Sequence, residues 1–596
     1  MTETGTAHKK AIRTEPEEKF IHFPTYHTWK KIGFSPRFGS LVPLSYIRSA
    51  RNQGVGDFAD IELLKDLFLE IGASIIQLLP INDMGRGKVP YSSISAFALD
   101  PIYVALDRIE EMKENRSQEV NEYITEHLIL IEQQKKEKYI DIDAIRTFKF
   151  GALYRLYKDF LSRNRDWNTP RWHAFQSFII NNKFWLDDFA MFRTLKNKFN
   201  WASWQDWPAE FRDRTPDALR RLSEESADEL LFVKYVQWIA YSQMRQAHNE
   251  CLADNVLIKG DIPLQVDFES ADVWAHPEYF NLNACAGAPP DQYSQMGQNW
   301  GTPTYNWDRL ALDNYVLWRK RLEYASHFFD IFRIDHVVGL FRIWTIPITT
   351  EFPRGVPSGW NGYFDPEDLG EGAHKPVWEN HGRTLLKMMT ESCEMLPIAE
   401  DLGTIPYVCR SVLEEMGIPG YKVLIWERAW HKQDAPFYNP EEYSYISMST
   451  STTHDFWTLP GYWTYNEKDT AMEKEHQASL RAMWKFLMGK KEYQQDYTDE
   501  LHIAILEKLF HSGSIFMIMP FADLWGKIPG VYGFDIQADR INDPGDPERG
   551  ANWTGRMPIN IEDFKKHYAL KQRIKILRRL ASESGRLRGR HEGEPE

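Results

Sequence analysis

Three short segments place carboxylates where catalysis could use them. FRIDHVVGLFRIW (332–344) ends an apolar run on Asp335, with Arg333 two residues earlier and therefore on the same face of a strand. A guanidinium next to a carboxylate favours the ionised form, which a nucleophile attacking an anomeric carbon requires. Taken alone, an aspartate at a strand end more often caps the following helix. LPIAEDLGTIP (396–406) ends a second run on Glu400 and Asp401. Adjacent strand residues point to opposite faces, so only one carboxyl can face a shared cleft, and Glu400 is assigned that position. Burial beside another carboxylate would keep its proton near neutral pH, as a general acid needs. STSTTHDFWTLPGYW (449–463) adds His454 and Asp455 at a third strand end. That Asp could grip the hydroxyls of a distorted sugar ring, and the His–Asp pair could equally cap a helix or form half a metal site.

These segments need a scaffold that brings separate strand ends together. Eight short apolar or β-branched runs recur along the chain, at 40–47, 73–81, 255–266, 329–335, 395–401, 421–426, 445–455 and 514–524. Helical patterns such as FADIELLKDLFLEIGA and PYVCRSVLEEMGI lie between several of them. This alternation predicts an α/β fold, a (β/α)8 TIM barrel, with the chemistry at the C-terminal ends of its strands. The gaps of about 170 residues before the third run and about 60 before the fourth exceed simple crossovers and predict insertions. One is a helical subdomain at about 104–250, the other a substrate loop subdomain at about 267–327. The barrel with its insertions is read as spanning 21–583, with disordered ends at 1–20 and 584–596.

Composition narrows the ligand. The formal charge of −14 repels phosphate backbones and anionic membranes, so neither nucleic acid nor membrane is an expected partner. The four cysteines are widely spaced, without a disulfide or zinc pattern. No apolar leader or membrane-length run is evident, and a cytoplasmic location is expected. Twenty-two Trp, 27 Tyr and 34 Phe are mostly core, yet some could stack on sugar faces. Carboxylates on three strand ends of one barrel, without a phosphate loop or metal cluster, point to acid/base and nucleophilic work on a glycosidic bond, with no cofactor.

The same segments resemble the amylomaltase, or 4-α-glucanotransferase, family of the α-amylase-related barrel enzymes. The motifs that carry the resemblance run in order: RFGSLVPLSYIRS with GVGDFADIELL (37–64), IIQLLPIND (75–83), PYSSISAFALDP (90–101), GDIPLQVDFESADVWAHPEYF (260–280), GAPPD with GQNWGTPTYNW (287–307), FRIDHVVGLFRIW, IAEDLGTIP, GIPGYKVLIW (417–426), THD and NDPGDPERGANWTGRMP (542–558). The stretch from Val423 to Thr458 is closest to the plant-type cytosolic disproportionating branch, here without that branch's N-terminal starch-binding modules.

The resemblance implies transfer of α-1,4-glucan segments between maltooligosaccharides. It makes Asp335 the nucleophile, Glu400 the acid/base and Asp455 the transition-state stabiliser, with Arg333 and His454 supporting the donor sugar. It further makes Tyr91 a stacking aromatic, Asp261 a neighbour of the site, Trp300 a sugar platform and Asp523 a weaker correspondence. In GAPPDQYSQMG the family's PPDYF-like pattern is replaced, which assigns Gln292 and Tyr293 to acceptor handling. For a retaining enzyme the Asp335 and Glu400 carboxyls should stand about 5–5.5 Å apart. An α-glucan hydrolase would use the same residues, and a non-catalytic glucan-binding protein would keep only the aromatics.

Overall fold

The structure is a computed structural model that describes residues 14–588 except 114–115, 165–166, 291–295, 351–353, 355–358, 368–371, 373, 466–470 and 547–548. Its strands are β1 (Arg37–Leu41), β2 (Ile75–Gln77), β3 (Leu257–Ile262), β4 (Phe280–Ala288), β5 (Gln298–Tyr305), β6 (Ile331–Ile334), β7 (Ile343–Pro347), β8 (Tyr363–Asp365), β9 (Leu396–Ala399), β10 (Gly420–Val423), β11 (Ser447–Thr450) and β12 (Phe516–Pro520). Eight of them close an all-parallel barrel in the order β1-β12-β11-β10-β9-β6-β3-β2. Each of the eight apolar runs contributes one barrel strand. Most barrel residues are buried on both faces, so the runs are continuous rather than alternating. Gly39 allows a close backbone approach in this wall, because a Cβ there would lie 2.4 Å from the Ile75 carbonyl oxygen.

Between strands, the helix Asp60–Ile71 buries Ile61, Leu64, Leu67, Phe68 and Ile71, the spacing of one helical face, and stops at Gly72 in the left-handed conformation. The long gap between β2 and β3 is filled by helices, including Gln118–Lys136, Ile142–Arg163, Pro170–Asn181, Lys183–Lys198 and Ala227–Ala253. Ser117, Asp141 and Thr169 cap three of them through backbone N–H groups three residues on. The tryptophans of this insertion serve mainly its core, where Phe160, Trp172, Phe175, Tyr235 and Trp238 form one aromatic cluster.

The second insertion differs from the expectation. It is not closed off at 327 and is largely a sheet. β4 and β5 join β7 and β8, which follow β6, in an antiparallel sheet of order β5-β4-β7-β8. Segments on both sides of β6 therefore build one unit.

Both predicted disordered ends also need correction where residues are described. Phe20 is fully buried, packed on Trp29 and Phe34 with ring centroids 5.1 and 4.7 Å away. At the other end Ser584 and Arg586 are completely buried. The Arg586 guanidinium donates to the carbonyls of Arg37, Phe510, Ser512, Ser514 and Ile515, which line the N-terminal end of β1 and β12. A polar tail was a fair reading of composition, but one arginine that satisfies five carbonyls is a plug for the barrel floor. Among the described residues no helix is long and apolar enough to cross a membrane.

Candidate active site

Arg333 is the centre of the site. It projects from β6 into the barrel and is 6% exposed. β3 and β6 pair with Asp261 opposite Arg333, so Nη1 of Arg333 donates to both oxygens of Asp261 at 2.9 and 3.0 Å. The same nitrogen lies 2.8 Å from Asp335 Oδ1, and Nη2 lies 3.3 Å from Glu400 Oε2. One rigid guanidinium thus fixes carboxylates from β3, β6 and β9.

Glu400 follows β9, whose Ala399 is in register with Ile334 of β6. Its Oε2 accepts the backbone N–H of His336 at 2.7 Å. His336 makes that bond from the left-handed region, at φ 46°, a conformation disfavoured for a residue with a Cβ. Burial pushes the Glu400 carboxyl up to about 7, assisted by the charges of Asp335 and Asp455 and opposed by Arg333 and the His336 N–H. Asp401, its neighbour, turns the other way and accepts the backbone N–H of Tyr421 at 2.7 Å. Of the pair, Glu400 is the one that borders the cavity at the barrel mouth.

Asp455 follows β11 and is the most open of the carboxylates, with 43% of its side chain exposed. Its partial burial would push it up, but His454 at 3.2 Å and Asn542, which donates to Oδ1 at 2.7 Å, hold it down at about 2. Burial pushes the His454 imidazole towards neutrality, and Asp455 beside it reverses the direction and raises it. Tyr91, from the loop after β2, closes the circuit. Its hydroxyl donates to Asp261 Oδ2 at 2.7 Å, lies 3.1 Å from His454 Nε2, and its ring stacks on His454 at 5.5 Å. Burial and the Asp261 charge raise the Tyr91 phenol well above its usual range, so it remains a donor.

Arg333, Glu400, Tyr421, Thr453, His454 and Asp455 border a cavity of about 40 Å³ that reaches down to Gln77 and Met448 in the barrel interior. Trp300 stands on β5 with its ring edge-on to His336 at 4.8 Å, beside the end of β6. Tyr91, Asp261, Arg333, Asp335, Glu400, His454 and Asp455 therefore meet at one end of the barrel, with Trp300 at its edge. Asp523 does not join them. It is fully buried and accepts from Ser451, Thr452 and the Leu459 N–H, shaping the segment that carries His454 and Asp455. Gln292 and Tyr293 lie outside the described residues.

Two contributing segments were missed. Asn542 reaches Asp455 from a loop 87 positions later. It opens the NDPGDPERGANWTGRMP motif, the one signal that could have marked it. Trp553, from the same motif, packs on both Tyr91 and His454, with centroids 5.8 and 6.0 Å away. The second contributor is His336, whose neighbour Asp335 drew the attention and whose backbone, not its ring, makes the contact.

Comparison with known proteins agrees with this geometry. Residues 42–561 match the family described as 4-alpha-glucanotransferase. A 4-alpha-glucanotransferase of Chlamydia pneumoniae is 32% identical over 92% of this chain and 96% of its own length. One from rice (Oryza sativa subsp. japonica) is 25% identical over 92% of this chain and 69% of its own. The amylomaltase of Streptococcus agalactiae, solved in complex with acarbose, shares the fold with a TM-score of 0.72 at 22% identity, covering 93% of this chain and all of that one. With a matched family spanning nearly the whole barrel and a relative of that similarity, the chain belongs to the 4-alpha-glucanotransferase family.

Proposed function

We propose that this 4-alpha-glucanotransferase moves α-1,4-glucan segments between maltooligosaccharides by a retaining double displacement, with Asp335 as nucleophile and Glu400 as acid/base. The observation that carries the reading is the shared grip of Arg333 on both carboxyls. Asp335 Oδ1 takes one nitrogen at 2.8 Å and Glu400 Oε2 the other at 3.3 Å, which suits the short carboxyl spacing of a retaining pair. Asp335 attacks the anomeric carbon while Glu400 protonates the departing glycosidic oxygen. The aglycon leaves and a glycosyl ester remains on Asp335. Glu400, now a carboxylate, takes the proton of an acceptor 4-hydroxyl as that oxygen attacks the anomeric carbon, the bond from that carbon to Asp335 breaks, and both residues return to their starting states. Asp455, kept anionic by His454 and Asn542, binds ring hydroxyls of the distorted donor sugar. Tyr91 and Arg333 fix Asp261 at its side, and Trp300 offers a flat face to a sugar next to the nucleophile.

Incubation with maltotriose alone tests the proposal. Glucose and longer oligosaccharides should form while the number of reducing ends stays constant; rising reducing ends would make the enzyme a hydrolase. Asp335→Asn should lower turnover by at least ~10³-fold while retaining glucan binding, because an amide fills the same space without forming the ester.

A further inference from the structure

Segments that follow the strands of a parallel barrel form its mouth. The one after β10 carries aromatics that the chemistry above does not use: Trp430 is 60% exposed and Tyr438 is 40% exposed. A single exposed tryptophan is ordinary. This one is held. The Arg428 guanidinium lies 4.8 Å from the Trp430 ring and 5.0 Å from that of Phe437, which is buried. Arg428 is itself tied down, donating to the Ala435 carbonyl at 2.7 Å and to the Ser479 hydroxyl. Around it the chain doubles back, with Arg428 and Phe437 bridged antiparallel and both Asp434 and Ala435 at positive φ, 63° and 35°. Non-glycine residues keep such conformations only where the surroundings impose them. One side of the Trp430 ring therefore rests on a fixed cation, and the ring is ordered before any ligand arrives.

The loop is continuous with the catalytic site. Trp426, four residues earlier, packs edge-on against Phe456 at 5.3 Å, and Phe456 directly follows Asp455. At the start of the helix Tyr407–Met416, which follows the neighbouring loop after β9, Tyr407 is 81% exposed. Glu427, Arg428, Lys432 and Asp434 carry two charges of each sign, so the segment favours neither an anionic nor a cationic ligand. A flat, preorganised, solvent-facing indole at a sugar-processing mouth matches the C–H face of a pyranose ring.

We propose that Trp430, backed by Arg428, is an accessory platform for α-glucan outside the catalytic cleft, holding a remote part of a long chain whose near end is being processed. The proposal rests on the α-glucan reading above. Preorganisation is the point: an indole already fixed by Arg428 loses little freedom when a sugar packs on it.

Affinity electrophoresis in native gels containing soluble starch tests this, with maltotriose turnover measured on the same samples. Trp430→Ala should weaken retention by about fivefold, the change that one aromatic–sugar contact carries. Trp430→Phe should retain part of it, and melting temperatures should not move. Maltotriose turnover should change less than about twofold, because a trisaccharide is too short to need a remote platform. Retention by starch equal to the parent in Trp430→Ala would overturn the proposal, as would an equal loss on maltotriose, which would place Trp430 in the cleft. If the parent protein failed to disproportionate maltotriose, the glucan-transfer reading would fall instead. Loss of starch retention in Trp430→Ala would still support the platform.

Discussion

Glu400 accepts the backbone N–H of His336, the residue directly after Asp335, at 2.7 Å. Glu400 is thereby tied to the strand end that carries Asp335, and no substitution at His336 other than proline removes the N–H that makes the bond. Proton inventory at Glu400 then governs the pH response. Its carboxyl titrates at about 7, well above its ordinary value, and the acid form is the one that protonates the leaving group. Glycosylation should therefore fall as pH rises through about 7. Glu400→Gln should lose turnover of maltotriose but still form the glycosyl ester from α-glucosyl fluoride, whose leaving group needs little protonation, and the basic limb should vanish with that donor. Absence of a burst from a folded variant would move the acid role elsewhere.

The same shift predicts a stability effect. A carboxyl whose folded pKa is raised holds more protons folded than unfolded, so it costs stability as pH climbs from about 4.5 to about 7. Glu400→Gln, which cannot ionise, should gain on the order of 1–3 kcal/mol relative to the parent at pH 8 and close to nothing at pH 4. Melting curves at the two pH values decide this, and an equal gain at both would show that the ionised form is not penalised.

Tyr91→Phe isolates the hydroxyl that joins Asp261 to His454. The ring stack on His454 survives, but an Asp261 oxygen loses its donor in a buried setting. Transition-state stabilisation should fall by roughly 1–3 kcal/mol, about 5- to 150-fold in kcat/KM. Thermal stability should change little, because Arg333 still pairs with Asp261. A fall in melting temperature without a kinetic defect would make Tyr91 a core residue.

Asn542→Ala removes the amide that donates to Asp455 Oδ1. A hydrogen bond to a charged group contributes about 1.5–3 kcal/mol, so kcat should drop roughly 10- to 150-fold. The Asp455 carboxyl should also titrate higher, visible as an acid limb moved towards neutral pH. If kcat and the acid limb both stayed put, Asn542 would be only a loop anchor.

The loop containing Gln292 and Tyr293 is predicted from sequence to govern the partition between acceptor sugar and water. Gln292→Tyr should change acceptor preference across glucose, maltose and longer chains, and Tyr293→Ala should raise the hydrolytic share by loosening closure over the ester. Unchanged product ratios in both variants would remove the loop from the partition.

The barrel strands were legible because strands buried on both faces are written as unbroken apolar runs, and a polar residue ending such a run stands at the mouth by construction. Asp335, Glu400 and Asp455 follow from that rule, and Arg333 follows from strand alternation. The sheet formed by β4, β5, β7 and β8 was not legible. Its strands are partly exposed, so their apolar signal is diluted, and β7 belongs to a segment read only as the sequel to Asp335. Asn542 was hidden for another reason: its partner lies 87 residues away, and local pattern carries no information about which loop returns to which strand end. The termini were misjudged because composition describes average solvation, whereas Phe20 and Arg586 are single side chains filling specific gaps.

The antiparallel sheet ties two parts of the site together. Trp300 rides on β5, β5 is bonded to β4, and β4 to β7, whose first residue, Ile343, lies eight positions after Asp335. Any displacement of Trp300 on this arm would have to be accommodated through β4 and β7 by the short connector that carries His336, whose backbone N–H holds Glu400. The aromatic at the edge of the site and the backbone that fixes its buried carboxyl therefore belong to one hydrogen-bonded unit.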